Sequence, residues 1–547
     1  MVQLNCLLLL SAATVVTALP EPFDAREATI ESIHNALFSG LTSCRGVVSA
    51  FIARIEAFNP ALNAIIALNP DVLDEADELD MQLASGNITA KPLFCAPILL
   101  KDNFDAVGLP TTGACKALAD MRPTVDAPTV AAFKEAGGLI LGKTNLHELA
   151  LDGLSTSSLG GQTLNPYDFT RTPGGSSGGT GTAVAASLGL FGTGSDTVNS
   201  LRSPASANNL YSLRPTRGLI SRSGVIPAGY TQDTIGVITR SLKDLAIATT
   251  VMASVGYDSS DNATALVPKD VVGKDYAASL YGGTLKGKKL GLVQGFYNYT
   301  ASNETTPVLQ AMDKMVSLLQ AAGAEIINVT DSAYSSSAIG AAMNPQVFEV
   351  RQLLDDYLGR ADLEGDFPRS VQELWGRGTD DFLLLDKNFF STITASSTNN
   401  ATYAARQWAI QNLTLTLHNT FQSGQLDALI YPEQTNLVVK VGSASQSGRN
   451  GMLAALTGTP VVTIPMGFSD PSEDAPIGVP MGMEILGLHW TEDKVLNMAQ
   501  NIANLAPMRR MPTFSNGPVE VRDSEYTTVP IIKPNSNNIP PSYSLGG

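Results

Sequence analysis

The sequence predicts an α/β fold, built as a single large domain in which helices cover a mixed β-sheet core. Hydrophobic residues make up 44% of the 547 residues and charged residues only 16%, which is typical of a folded globular chain. Short apolar runs that suit buried strands alternate with segments of helical period. At about 150 residues per domain, the length alone suggests roughly three or four domains. However, no Pro/Gly-rich linker divides the chain, so one domain is expected.

The first predicted elements lie between residues 28 and 141. Apolar residues recur with a helical period from Ala28 to Ile55. The acidic run Asp71 to Asp80 fits a solvated helix face better than a metal site. Pro97 to Leu100 suits a buried strand, and Thr129 to Ala136 predicts a helix. The strand Leu139 to Leu141 is expected to follow it.

The same alternation returns in the second half of the chain. Leu290 to Val293, a helix from Val308 to Ala322, and Glu325 to Val329 have the pattern of a βαβ unit. Thr491 is expected to cap a final helix. Further strands are predicted at Ala428 to Tyr431, Val461 to Ile464 and Met483 to Leu486.

Both ends of the chain are expected to lie outside the domain, which then spans residues 19–532. Residues 1–18 carry no charged side chain, and Val16-Thr17-Ala18 resembles a signal cleavage site. This predicts a signal peptide and an extracellular protein, with a buried N-terminal helix as the alternative. Residues 533–547 are rich in Pro, Asn and Ser and are expected to be loose. No other stretch approaches the ~18 apolar residues of a membrane span.

Glycosylation sequons and cysteines are consistent with secretion. Removal of Cys6 with the signal leaves three cysteines, which allow at most one internal disulfide. Cys95 and Cys115 are the expected pair, because the segment between them contains the lysine discussed below. Asn-X-Ser/Thr triplets, the acceptors of N-linked glycans, occur at Asn87, Asn262, Asn298, Asn303, Asn328, Asn400 and Asn412.

The composition excludes several classes of function. The net charge of −16 argues against a nucleic-acid binder, which needs clustered Lys and Arg. Only four histidines occur, none with metal-ligand spacing, so a histidine-rich metal site is not expected. No metal and no other cofactor are predicted. Residues 137–144 match the phosphate-loop pattern GxxxxGK[ST], but the centre of this motif is an apolar strand and not a flexible loop. The sequence does not indicate an oligomeric state.

Residues 171–217 form the segment richest in Gly, Ser and Thr. Backbone amides in such a segment can turn toward one point, as an oxyanion hole requires. Gly174 to Gly178 also fits the GxSxG nucleophile elbow, but the preceding residues are loop-like and no suitable histidine follows. Lys101 ends an apolar strand, and loss of solvation there lowers the pKa of a lysine. Serine with lysine is a known alternative to the Ser-His pair.

With these motifs the sequence resembles the amidase signature family of serine hydrolases. The hallmark of that family is a Gly-Ser-Ser-Gly block followed by a second serine 24 residues later, and Ser176 and Ser200 have this spacing. Further resemblance lies in ARIEAFNPALNA, PILLKDNFDAVGLPTTGA, AGGLILGKTNLHELA, PVVTIPMGF and PIGVPMGMEILG. The resemblance implies an amidase domain over residues 19–532, with the amidase signature fold. Residues 255–440 match poorly, as in the family's variable region.

The resemblance implies a Ser-Ser-Lys triad. Ser200 would attack the amide carbonyl, and neutral Lys101 would draw the proton through Ser176. In the family an unusual cis peptide bond holds the residue at the position of Ser176. Supporting roles in orienting this network fall on Ser177, Asp196 and Arg202.

The sequence departs from the family directly before the expected nucleophile. The family has Gly-Gly where this chain has Val198-Asn199, and these amides with Thr197 would form the oxyanion hole. Glycine permits a positive φ at little cost, whereas valine tolerates it badly. Either the backbone avoids that region or the hole is altered.

These observations predict a secreted amidase that hydrolyses the C–N bond of a small amide. The altered oxyanion segment leaves two alternatives open. One is a related acyl transfer or ester hydrolysis in secondary metabolism. The other is a catalytically silent binding protein that keeps the pocket.

Overall fold

The computed structural model describes residues 23–86, 91–377, 383, 386–519 and 526–543. The predicted signal peptide and the sequon at Asn87 lie outside these residues. None of the described helices combines the length and the apolar content needed to cross a bilayer.

Fifteen α-helices and fifteen strands alternate along the described chain. The helices are α1 Ile30–Phe38, α2 Cys44–Leu62, α3 Val72–Ala84, α4 Pro128–Glu135, α5 Gly178–Ala185, α6 Arg202–Ala207, α7 Leu242–Ala253, α8 Thr306–Ala321, α9 Ser336–Met343, α10 Gln346–Leu358, α11 Val371–Gly376, α12 Lys387–Thr394, α13 Ala401–Gly424, α14 Met452–Thr457 and α15 Glu492–Leu505. The strands are β1 Ile65–Leu68, β2 Pro97–Lys101, β3 Arg122–Pro123, β4 Leu139–Thr144, β5 Thr156–Ser157, β6 Gly161–Gln162, β7 Phe191–Asp196, β8 Tyr211–Arg214, β9 Thr234–Thr239, β10 Lys289–Val293, β11 Glu325–Val329, β12 Leu363–Glu364, β13 Ala428–Pro432, β14 Val461–Phe468 and β15 Pro480–Leu486.

Eleven strands form one mixed sheet in the order β1-β4-β2-β7-β9-β8-β14-β15-β13-β10-β11. Parallel pairs join β2 to β4 and to β7, and join β10 to β11 and to β13. The other pairs in the sheet are antiparallel. Side chains from α2, α7, α8 and α15 pack in the main hydrophobic core beside the buried strands. The predicted fold class, helices over a mixed sheet in one domain, is confirmed.

The individual elements agree with the sequence analysis in type and differ in detail. The segment from Ala28 to Ile55 contains α1 and most of α2 instead of one helix. Ser43 caps the N-terminus of α2, since its side chain accepts a hydrogen bond from the Gly46 amide. The predicted βαβ unit is confirmed, since β10 and β11 are parallel with α8 between them. Thr491 occupies the N-cap position of α15, but its hydroxyl donates to the Leu488 carbonyl and does not cap the helix.

The expected Cys95–Cys115 disulfide is wrong. Cys95 is bonded to Cys44, with 5.6 Å between their Cα atoms and 51 residues between them in sequence. Cys44 begins α2, which packs in the main core beside the segment that leads into β2. Cys115 is buried in a separate hydrophobic cluster with Leu118 and Val350, so its side chain packs away from Cys95.

Residues 533–543, part of the tail that is expected to be loose, make several contacts with the domain. The Asn535 amide donates to the side chain of Asn63 at 3.1 Å, and Asn538 hydrogen-bonds to Gln162 at 2.8 and 2.9 Å. Tyr543 is fully buried, and its hydroxyl donates to the Ser443 carbonyl. Asn535, Asn538 and Tyr543 therefore fasten this segment to the domain, while most of its other residues stay exposed or half-buried.

Candidate active site

Lys101 reaches the site because β2 and β7 are parallel neighbours. Ile98 pairs with Phe191 and Leu99 with Gly192, so the carboxyl ends of both strands meet at one edge of the sheet. This places Lys101, the last residue of β2, beside Ser195 near the end of β7. The Lys101 Nζ lies 2.9 Å from the Ser195 Oγ.

The Lys101 side chain is fully buried and contacts the first predicted serine. Its Nζ lies 2.7 Å from the Ser176 Oγ. Burial lowers the pKa of Lys101 to about 7, although the carboxylates of Asp196 and Asp233 favour its charged form. The lysine can therefore change between ammonium and neutral amine near neutral pH, as a general base must.

Ser176 is positioned by the loop that precedes α5. A cis peptide bond joins Gly175 to Ser176, as in the family resemblance. The Ser176 carbonyl accepts a hydrogen bond from the His147 amide at 3.0 Å, and the Ser155 hydroxyl donates to the Gly174 carbonyl at 2.7 Å. Residues 172–174 have no regular secondary structure, so the loop-like approach to the GxSxG pattern is confirmed.

The two downstream histidines lie together rather than beside the serines. His418 and His489 stack with their ring centroids 5.8 Å apart, and the His489 Nε2 is 2.8 Å from the Thr457 carbonyl oxygen. They form no triad with Ser176.

Ser200 lies in the turn between β7 and α6. It is 5% exposed, and its carbonyl accepts a hydrogen bond from the Ser177 amide at 3.3 Å. Among the hydrogen bonds of the described residues, one joins Lys101 to Ser176 but none joins Ser176 to Ser200. In enzymes without substrate such bonds are often long and tighten in the Michaelis complex.

A buried network of charges supports this turn. Asp196 accepts from Arg202 Nε at 3.0 Å, from Arg214 Nη1 at 2.7 Å and from the Leu201 amide at 3.1 Å. Burial alone would raise the pKa of Asp196, but the two guanidinium groups outweigh it and lower the pKa to about 2. Arg202 also donates to both oxygens of Glu484, at 3.1 and 3.0 Å. Sequence analysis did not find Arg214 or Glu484.

The three residues before Ser200 are held by their side chains and carbonyls. The non-glycine residues with positive φ in the described chain do not include Thr197, Val198 or Asn199. Of the two alternatives raised by the loss of Gly-Gly, the backbone therefore takes the first and avoids the left-handed region. The Thr197 hydroxyl donates to Asp233 Oδ1 at 2.7 Å, and the Val198 carbonyl accepts from Arg202.

A cavity of about 610 Å³ opens beside the buried lysine. Ser195 and Thr197 lie in its wall, and α10 contributes Tyr357 to the other side, with Arg360 just beyond that helix. A volume of this size is within the range of ligand pockets, about 300–1,000 Å³. The cavity therefore gives a small molecule room next to Ser195, which contacts Lys101.

The phosphate-loop pattern at residues 137–144 is a strand, as predicted. Residues 139–144 are β4, and Lys143 is fully buried. Its Nζ lies 3.2 Å from Asp102 Oδ1 and donates to the carbonyl of Phe104 at 2.8 Å. The Lys143 side chain is therefore buried in the core, and the segment is a strand instead of the loop that binds phosphate.

Gly451 provides a first test of how tightly the turn is packed. A β-carbon at this position would overlap the Val198 carbonyl oxygen and the Asn199 β-carbon. We expect Gly451→Ala to lose about 1–3 kcal/mol of stability through overpacking. We also expect kcat to fall by about 10- to 100-fold, because displacement of a reacting group by 1 Å can cost that much. Thermal unfolding and steady-state kinetics measure the two effects.

Gly376→Ala is the matched control for this substitution. Gly376 ends α11, and no atom lies within 4 Å of the β-carbon that alanine would add there. This variant should keep the parental rate. An active, stable Gly451→Ala protein would show that the turn has room to adjust.

Comparisons with known proteins identify the family of this chain. The family model described as Amidase matches residues 46–496. A glutamyl-tRNA(Gln) amidotransferase subunit from Geobacter metallireducens is 31% identical over 490 residues, covering 86% of this chain and 96% of its own. The corresponding protein from Thermoanaerobacter pseudethanolicus is 29% identical, covering 86% of this chain and 95% of its own.

A solved structure has the same architecture. The native peptide amidase from Stenotrophomonas maltophilia superposes with a TM-score of 0.79 at 30% identity. The match covers 89% of this chain and 99% of the peptide amidase. The family model, the relatives and the shared fold show that this chain is a member of the amidase signature family and an amidase that acts on carbon–nitrogen bonds.

Proposed function

We propose that this protein is a secreted amidase that hydrolyses small amides through Ser200, Ser176 and Lys101. The observation that carries the proposal is the 2.7 Å contact between a fully buried Lys101 Nζ and the Ser176 Oγ. Burial keeps much of this lysine neutral at pH 7, since its pKa is lowered to about 7. A neutral amine beside a serine hydroxyl is a base ready to accept a proton.

The proposed reaction has two halves. In the first, the Ser200 Oγ attacks the amide carbonyl, its proton passes to Ser176, and the proton of Ser176 passes to the Lys101 Nζ. The amides of Thr197, Val198 and Asn199 would stabilise the oxyanion. The tetrahedral intermediate collapses, and the proton returns along the same path to the leaving amine.

In the second half, water attacks the acyl-enzyme and restores Ser200. The same relay takes a proton from the water and returns it to the Ser200 oxygen as the carboxylic acid leaves. The peptide amidase of similar structure supports a small amide as the substrate class.

Covalent labelling tests the nucleophile. We expect one equivalent of a small fluorophosphonate to add to the wild-type protein, seen by intact mass, and no adduct on Ser200→Ala. Ser195→Ala serves as a matched control, since Ser195 also contacts Lys101; it should still be labelled at Ser200. A folded wild-type protein that takes no label would favour the silent binding protein. A labelled protein that cleaves esters but no amide would favour the related acyl chemistry.

Secretion and glycosylation are part of the same proposal. Asn262, Asn303, Asn328, Asn400 and Asn412 are exposed, and Asn298 is half-buried, so the described sequons present accessible acceptors. The Cys44–Cys95 disulfide also fits an oxidising compartment.

Expression with the native N-terminus in a glycosylating eukaryotic host tests the proposed location. We expect the protein in the medium, with a mass that falls on enzymatic removal of N-glycans and with residues 1–18 absent. A protein that stays inside the cell with residues 1–18 attached would contradict this proposal. A non-glycosylating host gives the reference mass.

A further inference from the structure

The side chain of Asn199 is held at both ends, directly before the proposed nucleophile. Asn199 is fully buried, and its Nδ2 donates to the Glu433 Oε1 at 2.7 Å. Its Oδ1 accepts from the Arg449 Nη1 at 3.4 Å. Glycine, the family's usual residue here, could make neither contact. The departure from Gly-Gly therefore adds two anchors to the turn.

Glu433 is itself fixed in the core. It follows β13, its backbone amide donates to the Gly482 carbonyl at 3.0 Å, and its own carbonyl accepts from the Asn450 amide at 3.0 Å. The side chain is fully buried, and its Oε2 has no partner among the described residues. The bond from Asn199 is thus the one hydrogen bond that the described chain gives this carboxyl group.

The environment of Glu433 favours its neutral form. Burial raises its pKa most, and the neighbouring Glu484 raises it further, while the guanidinium groups of Arg202 and Arg449 act in the opposite direction. A neutral carboxyl still offers a carbonyl oxygen to the Asn199 amide. Glutamine would present the same acceptor in the same volume, so the chain offers a close neutral copy of Glu433.

We propose that Glu433 and Arg449 are positioning residues, which hold the oxyanion-forming turn Thr197–Ser200 through Asn199. This inference rests on the proposed function, in which Ser200 is the nucleophile. Valine and asparagine replace the two glycines without a left-handed backbone. The turn gains its fixed geometry from contacts with residues that follow it by more than 230 positions in the chain.

The test compares Glu433→Leu with Glu433→Gln. We measure the rate constant for fluorophosphonate labelling of Ser200, and kcat and KM on an amide that the wild type cleaves. Loss of the anchor in Glu433→Leu should slow labelling and kcat by about 10- to 100-fold, because small misplacements are that costly. KM should change little. Glu433→Gln should restore labelling to within about threefold of wild type, since it keeps the acceptor.

Glu492→Leu is a matched control for the removal of a buried carboxyl group. Glu492 is also fully buried, its Oε1 accepts one hydrogen bond of 2.7 Å from the Thr216 amide, and its Oε2 has no partner among the described residues. This variant should lose stability and keep the labelling rate of the protein that remains folded. A general effect of removing a buried glutamate would slow both proteins equally.

Asn199→Ala gives the reciprocal change and removes the same hydrogen bond without altering Glu433, so it tests the proposal even where Glu433→Leu does not fold. It should slow labelling about as much as expected for Glu433→Leu. Where Glu433→Leu folds, Asn199→Ala alone should also be about as slow as the double variant Asn199→Ala/Glu433→Leu, because contacting residues are not additive. Wild-type labelling rates in Asn199→Ala or in folded Glu433→Leu would overturn the positioning role and leave the amidase proposal standing. Absence of labelling in the wild type would overturn the nucleophile assignment, and the positioning role with it.

Discussion

Replacing Lys101 with methionine is expected to abolish turnover while the protein stays folded. Methionine fills the volume of the lysine stem, and a fully buried amine is removed without leaving a charge unpaired. The proton relay loses its base, and removal of a general base typically lowers the rate by about 10²–10⁴-fold. Steady-state kcat/KM on a cleaved amide measures the loss, and thermal unfolding checks the fold.

The pH dependence of the wild-type rate is a second test of whether Lys101 is the general base. Because burial lowers the pKa of Lys101 to about 7, the ammonium form dominates below that pH and the neutral base above it. Activity should therefore rise as pH increases through about 7 and then level off. A maximum below about pH 5, or an unchanged rate in Lys101→Met, would be incompatible with a lysine base.

Lys143→Met is the matched control for a buried lysine. Lys143 ends in an ion pair with Asp102 at 3.2 Å, and both side chains are buried. This variant should lose stability, since it leaves a buried carboxylate unpaired. The midpoint of its pH–rate profile should remain that of the wild type, which separates damage to the core from loss of the base.

Among the variants proposed here, replacing Arg202 with methionine should lower the free energy of unfolding most. Arg202 is fully buried and pairs with both Asp196 and Glu484. Removal of one partner from a buried ion pair typically costs about 3–5 kcal/mol, because the remaining charge is buried without compensation. The denaturant midpoint should fall sharply, and folded protein that remains should show a lowered kcat, since the Val198 carbonyl loses its donor.

The exposed pair of Arg26 and Asp24 is the control for this substitution. Its side chains are 32% and 55% exposed, and such pairs contribute about 0–1 kcal/mol. Arg26→Met should therefore unfold close to the wild-type midpoint. Equal midpoints for Arg202→Met and wild type would show that the charge network carries no stability.

The charge network around Asp196 also predicts that the protein loses stability in acid. The folded pKa of Asp196 is lowered to about 2 from an ordinary value of 3.8, so its ionised form stabilises the fold above the ordinary value. That contribution is lost as pH falls from about 4 toward 2. The thermal midpoint of the wild type should fall as the pH is lowered from about 4 to 2. The midpoint of Asp196→Asn should be lower than that of the wild type at pH 4 and should fall less across the same range.

The sequence predicted strands well where they are apolar and poorly where they are rich in glycine. β10, β11 and β13 follow from short apolar runs, whereas β7 has the sequence Phe-Gly-Thr-Gly-Ser-Asp, which has no apolar run to mark it as a strand. A β-carbon at Gly192 would crowd Thr180 and Leu99, and one at Gly194 would crowd Leu201 and Ser177. These glycines allow close packing of a buried strand, a reason that local pattern does not reveal.

Some residues of the candidate site could be predicted from the sequence, and others are found only in the folded structure. Lys101, Ser176 and Ser200 follow from the family resemblance, and the structure brings Lys101 and Ser176 into contact. Glu433 and Arg449 lie far along the chain from Asn199 and belong to no local motif. Only the folding of β13 and the segment before α14 against the turn brings them to Asn199.

The strand order has a consequence for how the chain becomes active during folding. β8 closely follows the nucleophile segment in sequence, yet its partner on one side is β14, about 250 residues later. Contacts of such long range form late and slow folding, because a large loop must close first. A nascent chain that ends before β14 lacks the centre of its sheet. Turnover is therefore expected only after β14 has joined β8, which makes the enzyme's own activity a measure of how far the centre of the sheet has refolded.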